Sequence, residues 1–485
     1  MGSEWVQTTV GDFLEQHGGE IKTGPFGTKL KASEYSEVGV PVISVGEVQL
    51  GRLTLHERTP KVDVDVTTRM PEYLLKTGDI VFGRKGAVER SARVSSEEEG
   101  WFLGSDGIRL RLPECCDSRF IAYSFLTTAH KQWMVQHAAG TTMASLNEKI
   151  IRLIPLSLPP LPIQKVIADN LEALDQKIAL NRQINTTLES MAQALFKSWF
   201  VDFDPVIDNA LAAGHDIPEP LMQRAQARAA HRALHGIEGG PDRESEGDSN
   251  AETRTHPQGP TLPADLQRLF PDRFVFTEDM GWVPEGWGVG PISYLADLNP
   301  EAWSNKNHPD SVKYVDLANA KNGRIDEVVA YSFADAPSRA RRVLRKDDTV
   351  FGTVRPGNRS FALIHEDGLT GSTGFAVLRP KAQAATAFVY LSVTRQEVVD
   401  LFAHLADGAA YPAIRSDVVA EHAVVIPTEK IMSAFHNQVM PLLSSIGDRE
   451  AMSIVLSDLR DSLLPKLLSG QITIPDAEQA LDEVL

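Results

Sequence analysis

Arginine, lysine and small polar side chains occur in glycine-containing turns at several places along the chain. Two such turns read GRKGAVER (83–90) and VRPGNRS (354–360). Exposed turns between regular elements hold many of the binding residues of proteins, and cationic or hydroxyl side chains there can pair with phosphate oxygens and with the edges of bases. The chemistry that these residues could perform is therefore hydrogen bonding to a nucleic acid, with no covalent bond made or broken.

The candidate contact residues form two sets, one in each half of the chain. The candidates of the first half are Lys29, Arg84, Lys85, Arg90, Ser105, Thr141 and Thr142. The candidates of the second half are Arg355, Asn358, Arg359, Ser372, Thr373, Tyr411 and Arg415. Because a surface arginine is usually only solvated, we expect about half of these side chains to touch nucleic acid.

No catalytic set accompanies these candidates. A DNA adenine methyltransferase needs Asn or Asp followed by two prolines and an aromatic residue, whereas the nearest match, NPEA at 299–302, lacks the second proline and the aromatic residue. GRKGAVER lacks the glycine spacing and the Lys-Ser/Thr ending of a phosphate-binding loop, and no His/Cys spacing indicates zinc. The sequence therefore predicts a non-catalytic chain with no metal or cofactor site of its own.

The turns recur at equivalent places because the chain is duplicated. The first half contains YLLKTGDIVFGRKGAVERSARV, FLGSDGIRLRLPE and GTTMASLNEKIIRLIPLSLPP, and the second contains RVLRKDDTVFGTVRPGNRSFALI, LTGSTGFAVLRPK and GAAYPAIRSDVVAEHAVVIPTE. Order, spacing and local character agree at an offset close to 268 residues. Self-similarity over this length indicates two copies of one fold.

Each copy has the pattern of an α+β unit. Alternating strand-like runs with glycine turns come first, such as PVISVGEV in one copy and VKYVDLA in the other. One helical segment follows, at 118–137 and at 385–405, and a closing strand then runs into prolines. We therefore expect two globular units of about 150 residues each, a common domain size.

A long helix is predicted after each unit. Seam positions with unbroken 4-3 spacing, which is typical of a coiled coil, are Ile167, Leu171, Leu174, Ile178, Asn181, Asn185, Leu188, Ala192, Leu195 and Trp199. The same offset maps them onto Phe435, Val439, Leu442, Ile446, Arg449, Ser453, Leu456, Arg460, Leu463 and Leu467. An apolar stripe of this length needs a partner, and the nearest partner is the other copy.

A polar layer interrupts the seam. If the two helices are antiparallel, Asn181 and Asn185 lie near Arg449 and Ser453, and this layer fixes register and orientation at a cost in stability. The alternative is that these residues are solvent-facing breaks in a short packed helix. Prolines at 441 and 465 also predict that the second helix is kinked or starts late.

The net charge of −17 does not exclude nucleic acid, because the charge is unevenly distributed. Residues 207–285 carry 14 acids and 7 bases, and residues 471–485 carry four acids and no base. Residues 236–261 have the composition of a disordered linker. We therefore expect a local basic face on a nearly balanced body, with weak unspecific binding.

The cysteine content and the hydropathy pattern point to a cytoplasmic protein. The two cysteines, Cys115 and Cys116, are neighbours, and neighbours rarely form a useful disulfide, which favours a reducing compartment. No apolar run is long enough to cross a membrane, and no basic segment followed by an apolar core opens the chain. We expect no membrane partner.

Several segments resemble a known family. IPLSLPPLPIQKVIADNLEALDQKIALNRQINTTLESMAQALFKSWFVDFDPV is similar to the central conserved region of type I restriction–modification specificity subunits. TGPFGTKL, GDIVFGRKGAVERSA and GTTMASLNEKI resemble the N-terminal target-recognition domain of those proteins. The resemblance covers essentially the whole chain apart from 236–261. It implies an α+β fold, in which two similar globular target-recognition domains are separated by two long antiparallel coiled-coil helices in an internal pseudo-two-fold repeat.

The resemblance also implies the domain boundaries. In chain order they are a first target-recognition domain (1–160), a central conserved spacer helix (161–206), a partly disordered linker (207–280), a second target-recognition domain (281–427), a distal conserved spacer helix (428–470) and an acidic C-terminal tail (471–485).

The family further implies how such a chain works. Each target-recognition domain would bind one half of a split double-stranded DNA site, and the helices would dock two methyltransferase subunits and the restriction subunits. Those partners would bind S-adenosylmethionine, ATP and magnesium. An aromatic cluster at the end of the first long helix can anchor a partner subunit or the base of the adjoining domain: Phe196, Trp199, Phe200 and Phe203. The alternative for each of these four side chains is packing within the chain itself.

Two other classes of function fit part of the sequence. A coiled-coil adaptor that joins proteins without binding DNA explains the helices, but it does not explain the duplicated turns with glycine and arginine. A single-chain methyltransferase with diverged motifs is the third possibility. Transfer of methyl groups from S-adenosylmethionine by the purified chain alone would establish it.

Overall fold

The structure of the 485-residue chain is a computed structural model. It describes residues 5–26, 29–140, 143–234, 262–408, 411–469, 471–472, 475–476 and 479. The chain divides into two compact units, one formed by Met1–Leu180 with Met452–Leu485 and the other by Asn181–Ala451. Both boundaries fall inside long helices, so each unit contains one part of each helix.

The first unit mixes short strands and short helices before its long helix. In chain order the elements are β1 (Val6–Thr9), α1 (Val10–His17), β2 (Glu20–Thr23), β3 (Tyr35–Ser36), β4 (Val40–Ile43), β5 (Lys61–Val62), α2 (Val64–Arg69), β6 (Ile80–Gly83), β7 (Ser91–Arg93), β8 (Phe102–Leu103), β9 (Gly107–Arg111), α3 (Ser118–Leu126), α4 (Thr128–His137), α5 (Glu148–Arg152), β10 (Pro155–Leu158) and α6 (Leu161–Phe200).

Two four-stranded sheets form the body of the first unit. One is antiparallel with the order β2-β9-β6-β7, and the other has the order β3-β5-β4-β8, in which β4 and β8 are parallel. Strand β6 reads IVFG and is buried along its whole length, as expected for a central strand covered on both faces. Strand β1 pairs with β10 and so brings the start of this unit to its closing strand.

The second unit has a similar order of elements after an extra segment, but it has strands in place of α2 and no α-helix in the place of α1. In chain order they are α7 (Asp204–Ala213), α8 (Met222–Leu234), α9 (Ala264–Gln267), β11 (Phe274–Thr277), β12 (Gly281–Pro284), β13 (Gly288–Pro291), β14 (Ala296–Leu298), β15 (Ser311–Val315), β16 (Ala320–Lys321), β17 (Arg324–Ile325), β18 (Val329–Ser332), β19 (Ala340–Leu344), β20 (Thr349–Gly352), β21 (Phe361–Leu363), β22 (Leu369–Ser372), β23 (Phe375–Pro380), α10 (Thr386–Thr394), α11 (Gln396–His404), α12 (Ser416–Ala420), β24 (Ala423–Ile426) and α13 (Glu429–Ser469).

The sheets of the second unit repeat those of the first. An antiparallel sheet has the order β14-β23-β20-β21, which matches β2-β9-β6-β7 strand for strand. In the other sheet β18-β15-β22 matches β5-β4-β8, including the parallel pair, while the fourth strand is added at the opposite edge. The duplication predicted from the sequence is therefore confirmed at the level of strand order and direction.

A buried ion pair recurs in both copies and supports the same turn. Asp79 lies 2.6 Å from a guanidinium nitrogen of Arg111, and Asp348 lies 2.8 Å from one of Arg379. Each aspartate also accepts a hydrogen bond of 2.8 Å from the backbone N–H three residues earlier in its turn. Because the carboxylates are buried, they need these partners. The recurrence of the pair is a chemical signature of the repeat.

The prediction of a single helical segment in each copy is wrong, because each copy has two helices in this place. Thr127 is extended between α3 and α4, and its hydroxyl accepts from the backbone N–H of His130, which caps α4. Arg395 is extended between α10 and α11. Thr127 and Arg395 are separated by the repeat offset of 268 residues, so the break belongs to the duplicated fold.

Two helices of 40 and 41 residues, α6 and α13, carry the predicted seam. Every described seam position is buried or half-buried. At one position the seam shifts by a residue, since Leu443 is buried more completely than the predicted Leu442. Inside the second unit the helices are antiparallel, since Asn185 meets Ile446 and Trp199 meets Phe435. The prediction that α13 starts late is wrong, because it begins at Glu429 and Pro441 lies on its exposed side.

Much of the segment assigned to a linker is folded. Residues 204–234 form α7 and α8, and residues 262–280 include α9 and β11. Arg224 binds Asp204 at 2.8 Å, Arg228 pairs with Asp208, and Phe270 enters the core of the second unit. Two arginines on α8 thus pair with two acids on α7, which acidic composition alone does not reveal. Residues 235–261 lie outside the described part of the chain.

Among the residues that the structure describes, none of the helices is both long enough and apolar enough to cross a bilayer.

Candidate nucleic-acid interface

Four loops converge at one end of the antiparallel sheet of the first unit. We call the described residues of 24–34, 84–90, 104–106 and 138–147 tip 1. The backbone N–H of Arg84 donates to the carbonyl of Asp106 (2.9 Å), and the carbonyl of Arg84 accepts from Leu146 (2.8 Å). A Cβ on Gly24 would lie 1.8 Å from the carbonyl oxygen of Gly104, so only glycine allows the first loop to approach this closely.

Arg84 is the best-anchored cation of tip 1. Its guanidinium carbon lies 4.4 Å from the centroid of the Phe26 ring, and its Nη1 donates to the carbonyl oxygen of Ser105 at 3.3 Å. Phe26 is 51% exposed, whereas most phenylalanines of the described residues are buried. A guanidinium over an aromatic face is held by cation–π attraction and keeps its edge available for planar recognition.

The other candidates of the first half differ in their surroundings. Lys85 is exposed and pairs with Asp106 at 3.2 Å, while the ammonium of Lys29 donates to the hydroxyl of Tyr73 at 3.3 Å. Arg90 and Ser105 are half-buried, and their carbonyls accept hydrogen bonds within the tip. Thr141 and Thr142 lie outside the described residues. Lys29 and Lys85 are thus the exposed cations of the first-half set, while Arg84 and Arg90 are half-buried.

The second unit builds its end in the same way from three equivalent loops. We call the described residues of 353–360, 373–374 and 405–415 tip 2. Thr353 occupies the place of Arg84, since its N–H donates to the carbonyl of Gly374 (2.8 Å) and its carbonyl accepts from Ile414 (2.9 Å). The scaffold of the loops is therefore repeated, whereas the side chain at this position is not.

Arg355 carries the cationic group of tip 2. Its guanidinium carbon lies 4.8 Å from the centroid of the Tyr411 ring, which is 72% exposed. Its backbone is in the left-handed region (φ 49°), where a non-glycine residue is strained. The N–H of Arg355 donates to the carbonyl of Pro412 at 2.7 Å, which holds this conformation. Asn358, whose N–H donates to the carbonyl of Arg355 at 2.8 Å, is exposed, and so is Thr373.

Three further second-half candidates have other contacts. The Arg415 side chain is 84% exposed and lies 2.9 Å from Asp417. Arg359 donates to Asn322 at 2.6 Å and to Gln396, so its guanidinium ties loops of the unit together. Ser372 is only 1% exposed, and its hydroxyl accepts from the backbone N–H of Gly374. The prediction of a DNA contact by Ser372 is therefore wrong, since this side chain supports the turn from inside.

Sequence reasoning missed some exposed residues of both tips. Phe26 follows TGP in the motif that also contains Lys29, and Met143 is a large exposed side chain of tip 1. Arg339 lies beside Thr373, whose N–H donates to its carbonyl at 2.8 Å. An aromatic residue between glycines in a polar turn was the available signal for Phe26. No sequence signal links Arg339 to tip 2, because a strand pairing brings it there.

The proposed anchoring role of the aromatic cluster is contradicted by burial. Phe196, Trp199, Phe200 and Phe203 all lie in the core of the second unit, and Trp199 is only 1% exposed. The ring centroid of Phe435 lies 5.5 Å from that of Trp199 and 4.8 Å from that of Phe200. These rings are satisfied within the chain and present almost no surface to another subunit. Intramolecular packing, the alternative, explains them.

Several residues of the predicted polar layer of the long helices make described contacts. Asn181 is buried, and the Nδ2 of Asn185 donates to the carbonyl oxygen of Ile446 at 3.2 Å. Arg449 donates to the carbonyl oxygen of Ser445 on its own helix at 3.1 Å. The alternative of solvent-facing breaks does not hold for Asn181. That the layer sets the register of the helices, with Ser453 as its fourth member, stays a prediction.

Comparison with known proteins finds one family match and several similar proteins. Residues 2–190 match the family model described as the type I restriction modification DNA specificity domain. The chain is 25% identical over 352 residues to the HindI specificity subunit of Haemophilus influenzae, covering 70% of this chain and 73% of that protein. It is 18% identical over 380 residues to the MjaIX specificity subunit of Methanocaldococcus jannaschii, covering 74% and 70%.

Solved structures with similarity include two subunits of the same kind. The S subunit of a type I restriction–modification system from M. genitalium aligns with a TM-score of 0.48 at 12% identity, covering 96% of each chain. The HsdS subunit from Thermoanaerobacter tengcongensis aligns with a TM-score of 0.30 at 13% identity, covering 97% of this chain and 98% of that one.

The family match places residues 2–190 among the type I restriction modification DNA specificity domains, and the second unit repeats the strand order of that part of the chain. Over 70% of its length the chain is similar to a specificity subunit of a type I restriction–modification system.

Proposed function

We propose that this chain is the subunit that recognises a bipartite double-stranded DNA target for a type I restriction–modification complex. One observation carries the proposal: the two tips share a backbone scaffold, but they present different side chains at equivalent positions, such as Arg84 and Thr353. A repeated scaffold with different contact residues is what two different half-sites require, because base edges are read by side chains.

The charges of the tips support DNA as the ligand. Tip 1 holds Arg84 and Lys85, and tip 2 holds Arg355 and Arg415. Asp106 and Asp417 partly neutralise them. A weakly positive tip on an acidic chain limits unspecific attraction to phosphates. Affinity would then depend on the matching sequence, as selection of a site demands.

The long helices are proposed to set the interval between the two half-sites. They are 40 and 41 residues long, and at about 1.5 Å of rise per residue each extends roughly 60 Å. Both pass through the boundaries at which the chain divides into units. The length of the helices would then determine how many base pairs lie between the two recognised segments.

The chain is proposed to act without catalysis of its own. Two methyltransferase subunits and the restriction subunits would join it, and those partners would bind S-adenosylmethionine, ATP and magnesium. Since the aromatic cluster is buried, docking would use other surfaces than Phe196, Trp199, Phe200 and Phe203. The family match supports this division of labour, and the alternative remains an adaptor that joins proteins without binding DNA.

Footprinting of the reconstituted methyltransferase complex tests the proposal. A library of duplexes is first bound and sequenced to find the preferred target, and hydroxyl-radical protection is then mapped on that target. We expect two short protected segments separated by about one helical turn, as for readers of paired half-sites. The control is the methyltransferase without this chain. Uniform protection, or protection unchanged in the control, would favour the adaptor.

A further inference from the structure

An arginine stacked on an exposed aromatic ring occurs in each tip. Arg84 lies over Phe26, and Arg355 lies over Tyr411, with distances from guanidinium carbon to ring centroid of 4.4 and 4.8 Å. Both rings are more than half exposed, whereas most phenylalanines of the described chain are buried. An exposed ring gives little folding energy, so burial does not account for either ring.

The duplication does not account for the two stacks either. Arg84 corresponds in backbone contacts to Thr353, so Arg355 lies two residues further along its loop. The ring of Phe26 comes from the loop after β2, while the ring of Tyr411 comes from the loop before α12. The same arrangement is therefore built twice from non-equivalent positions. A shared chemical task explains this recurrence better than shared descent does.

The backbone on which each arginine stands is fixed. Arg84 is hydrogen-bonded through both its N–H and its carbonyl, and Arg355 is held at a positive φ by its bond to Pro412. A ring under the guanidinium then fixes the plane of the side chain as well. Such an arginine loses little conformational freedom when it binds, and its paired N–H groups match the O6 and N7 acceptors of guanine in the major groove.

We propose that Phe26 and Tyr411 are positioning residues that hold Arg84 and Arg355 for bidentate contact with one guanine in each half-site. The inference rests on the proposed DNA recognition and adds the base and the residues that read it. The rings act through the arginines, so their removal should weaken recognition of the same base pair that removal of the arginine affects. Each ring should influence its own half-site and leave the other unchanged.

The test uses the reconstituted methyltransferase complex and duplexes that carry its mapped target. Competition binding is measured for every single base-pair change in both half-sites, with the wild-type chain and with Arg355→Ala, Tyr411→Ala, Tyr411→Phe, Arg84→Ala and Phe26→Ala. We expect Tyr411→Ala and Arg355→Ala to lose about tenfold of the discrimination at one guanine of one half-site, the range of a bidentate pair. Tyr411→Phe keeps the ring and should behave as wild type.

A second measurement changes the DNA in place of the protein. Replacing the identified guanine by 7-deazaguanine removes the N7 acceptor, so it should weaken binding of the wild-type complex and leave that of Arg355→Ala unchanged. For the other half-site, the same substitution of guanine is compared between the wild-type complex and the separate variants Arg84→Ala and Phe26→Ala. Circular dichroism of each variant complex checks that the chain is folded. We expect every ring variant to fold, because both rings are exposed.

The outcomes separate this inference from the function on which it rests. If the wild-type complex discriminates among sequences while Tyr411→Ala and Phe26→Ala match it at every position, the positioning role is refuted and DNA recognition stands. Equal loss on all sequences would mark phosphate contacts and would also overturn the inference. Absence of any sequence preference in the wild-type complex would refute the proposed function itself.

Discussion

Asn185 on α6 donates from its Nδ2 to the main-chain carbonyl oxygen of Ile446 on α13, at 3.2 Å. This side chain joins the two long helices within the second unit. Its Oδ1 is buried and has no hydrogen-bond partner. An unsatisfied buried acceptor costs about 1–3 kcal/mol, which offsets a single hydrogen bond worth roughly 1 kcal/mol. The residue therefore does not stabilise the fold in any simple way.

Replacing Asn185 by leucine should raise the free energy of unfolding by about 1 kcal/mol, because an apolar group of similar size removes the unsatisfied acceptor. Urea unfolding of the purified chain measures the change. Thr186→Ala, at the adjacent exposed position, is the control and should have little effect. A gain would agree with an asparagine kept for register, whereas a loss above 1 kcal/mol would show that its hydrogen bond dominates.

Replacing Trp199 by alanine should destabilise the second unit by about 3–5 kcal/mol, the cost of deleting a large core side chain. Its ring packs against Phe270 and Phe435 with centroids 4.9 and 5.5 Å away. Denaturant unfolding measures the loss, and Met191→Ala, an exposed residue of the same helix, is the control. If Trp199→Ala kept its stability but lost association with the methyltransferase, the anchoring role rejected above would be restored.

The partly buried Glu450 should make stability fall as the pH rises. Burial raises the pKa of Glu450 from its ordinary 4.5 to about 8, with Arg324 opposing the shift and Asp326 and Glu189 adding to it. The folded chain therefore retains a proton that the unfolded chain releases, so this group's contribution is fully present below pH 4.5 and is lost as the pH rises towards 8.

Glu450→Gln removes this dependence. At pH 9 the variant should be more stable than the wild type by about 2 kcal/mol, a value reduced from the full shift because the carboxyl retains some solvent contact. Near pH 4 the two chains should unfold alike. Thermal and urea unfolding across this pH range give the comparison, and Asp448→Asn, on the exposed side of α13, is the control. Parallel stability curves for wild type and Glu450→Gln would contradict the shift.

Lengthening both long helices should change the spacing of the target. Seven residues inserted between Ile178 and Leu188, with seven more between Ile446 and Leu456, keep both seams in phase. The added length is about 10 Å, or roughly three base pairs of DNA at 3.4 Å per pair. Sequencing of bound duplexes should return the same two half-sites with a longer gap. A variant that folds and recognises the original gap would refute the role proposed for the helices.

The sequence predicts the scaffold well because its signals are periodic. The offset of 268 residues revealed the repeat, and the 4-3 spacing located α6 and α13 to within a few residues. The breaks at Thr127 and Arg395 were missed because helical pattern continues across them. Composition did not reveal the helices after residue 203, because the arginines of α8 and the acids of α7 form ion pairs.

The candidate site was harder to predict because it is assembled from distant segments. Arg84 could be selected from its turn, but its ring partner Phe26 comes from another loop. Ser372 looks equivalent to exposed turn residues, yet its side chain points into the fold. The aromatic cluster at Trp199 could equally have served a partner or the core. Only the packing of residues that are remote in sequence shows whether such a side chain lies at the surface or in the core.

Mapping methylated adenines in DNA modified by the complex tests the central claim most directly. The account predicts one motif made of two short constant segments with a gap of fixed length and variable sequence between them. Arg84→Ala and Arg355→Ala should each relax a different segment. A single continuous motif, or methylation with no preferred sequence, would contradict recognition by two separate tips.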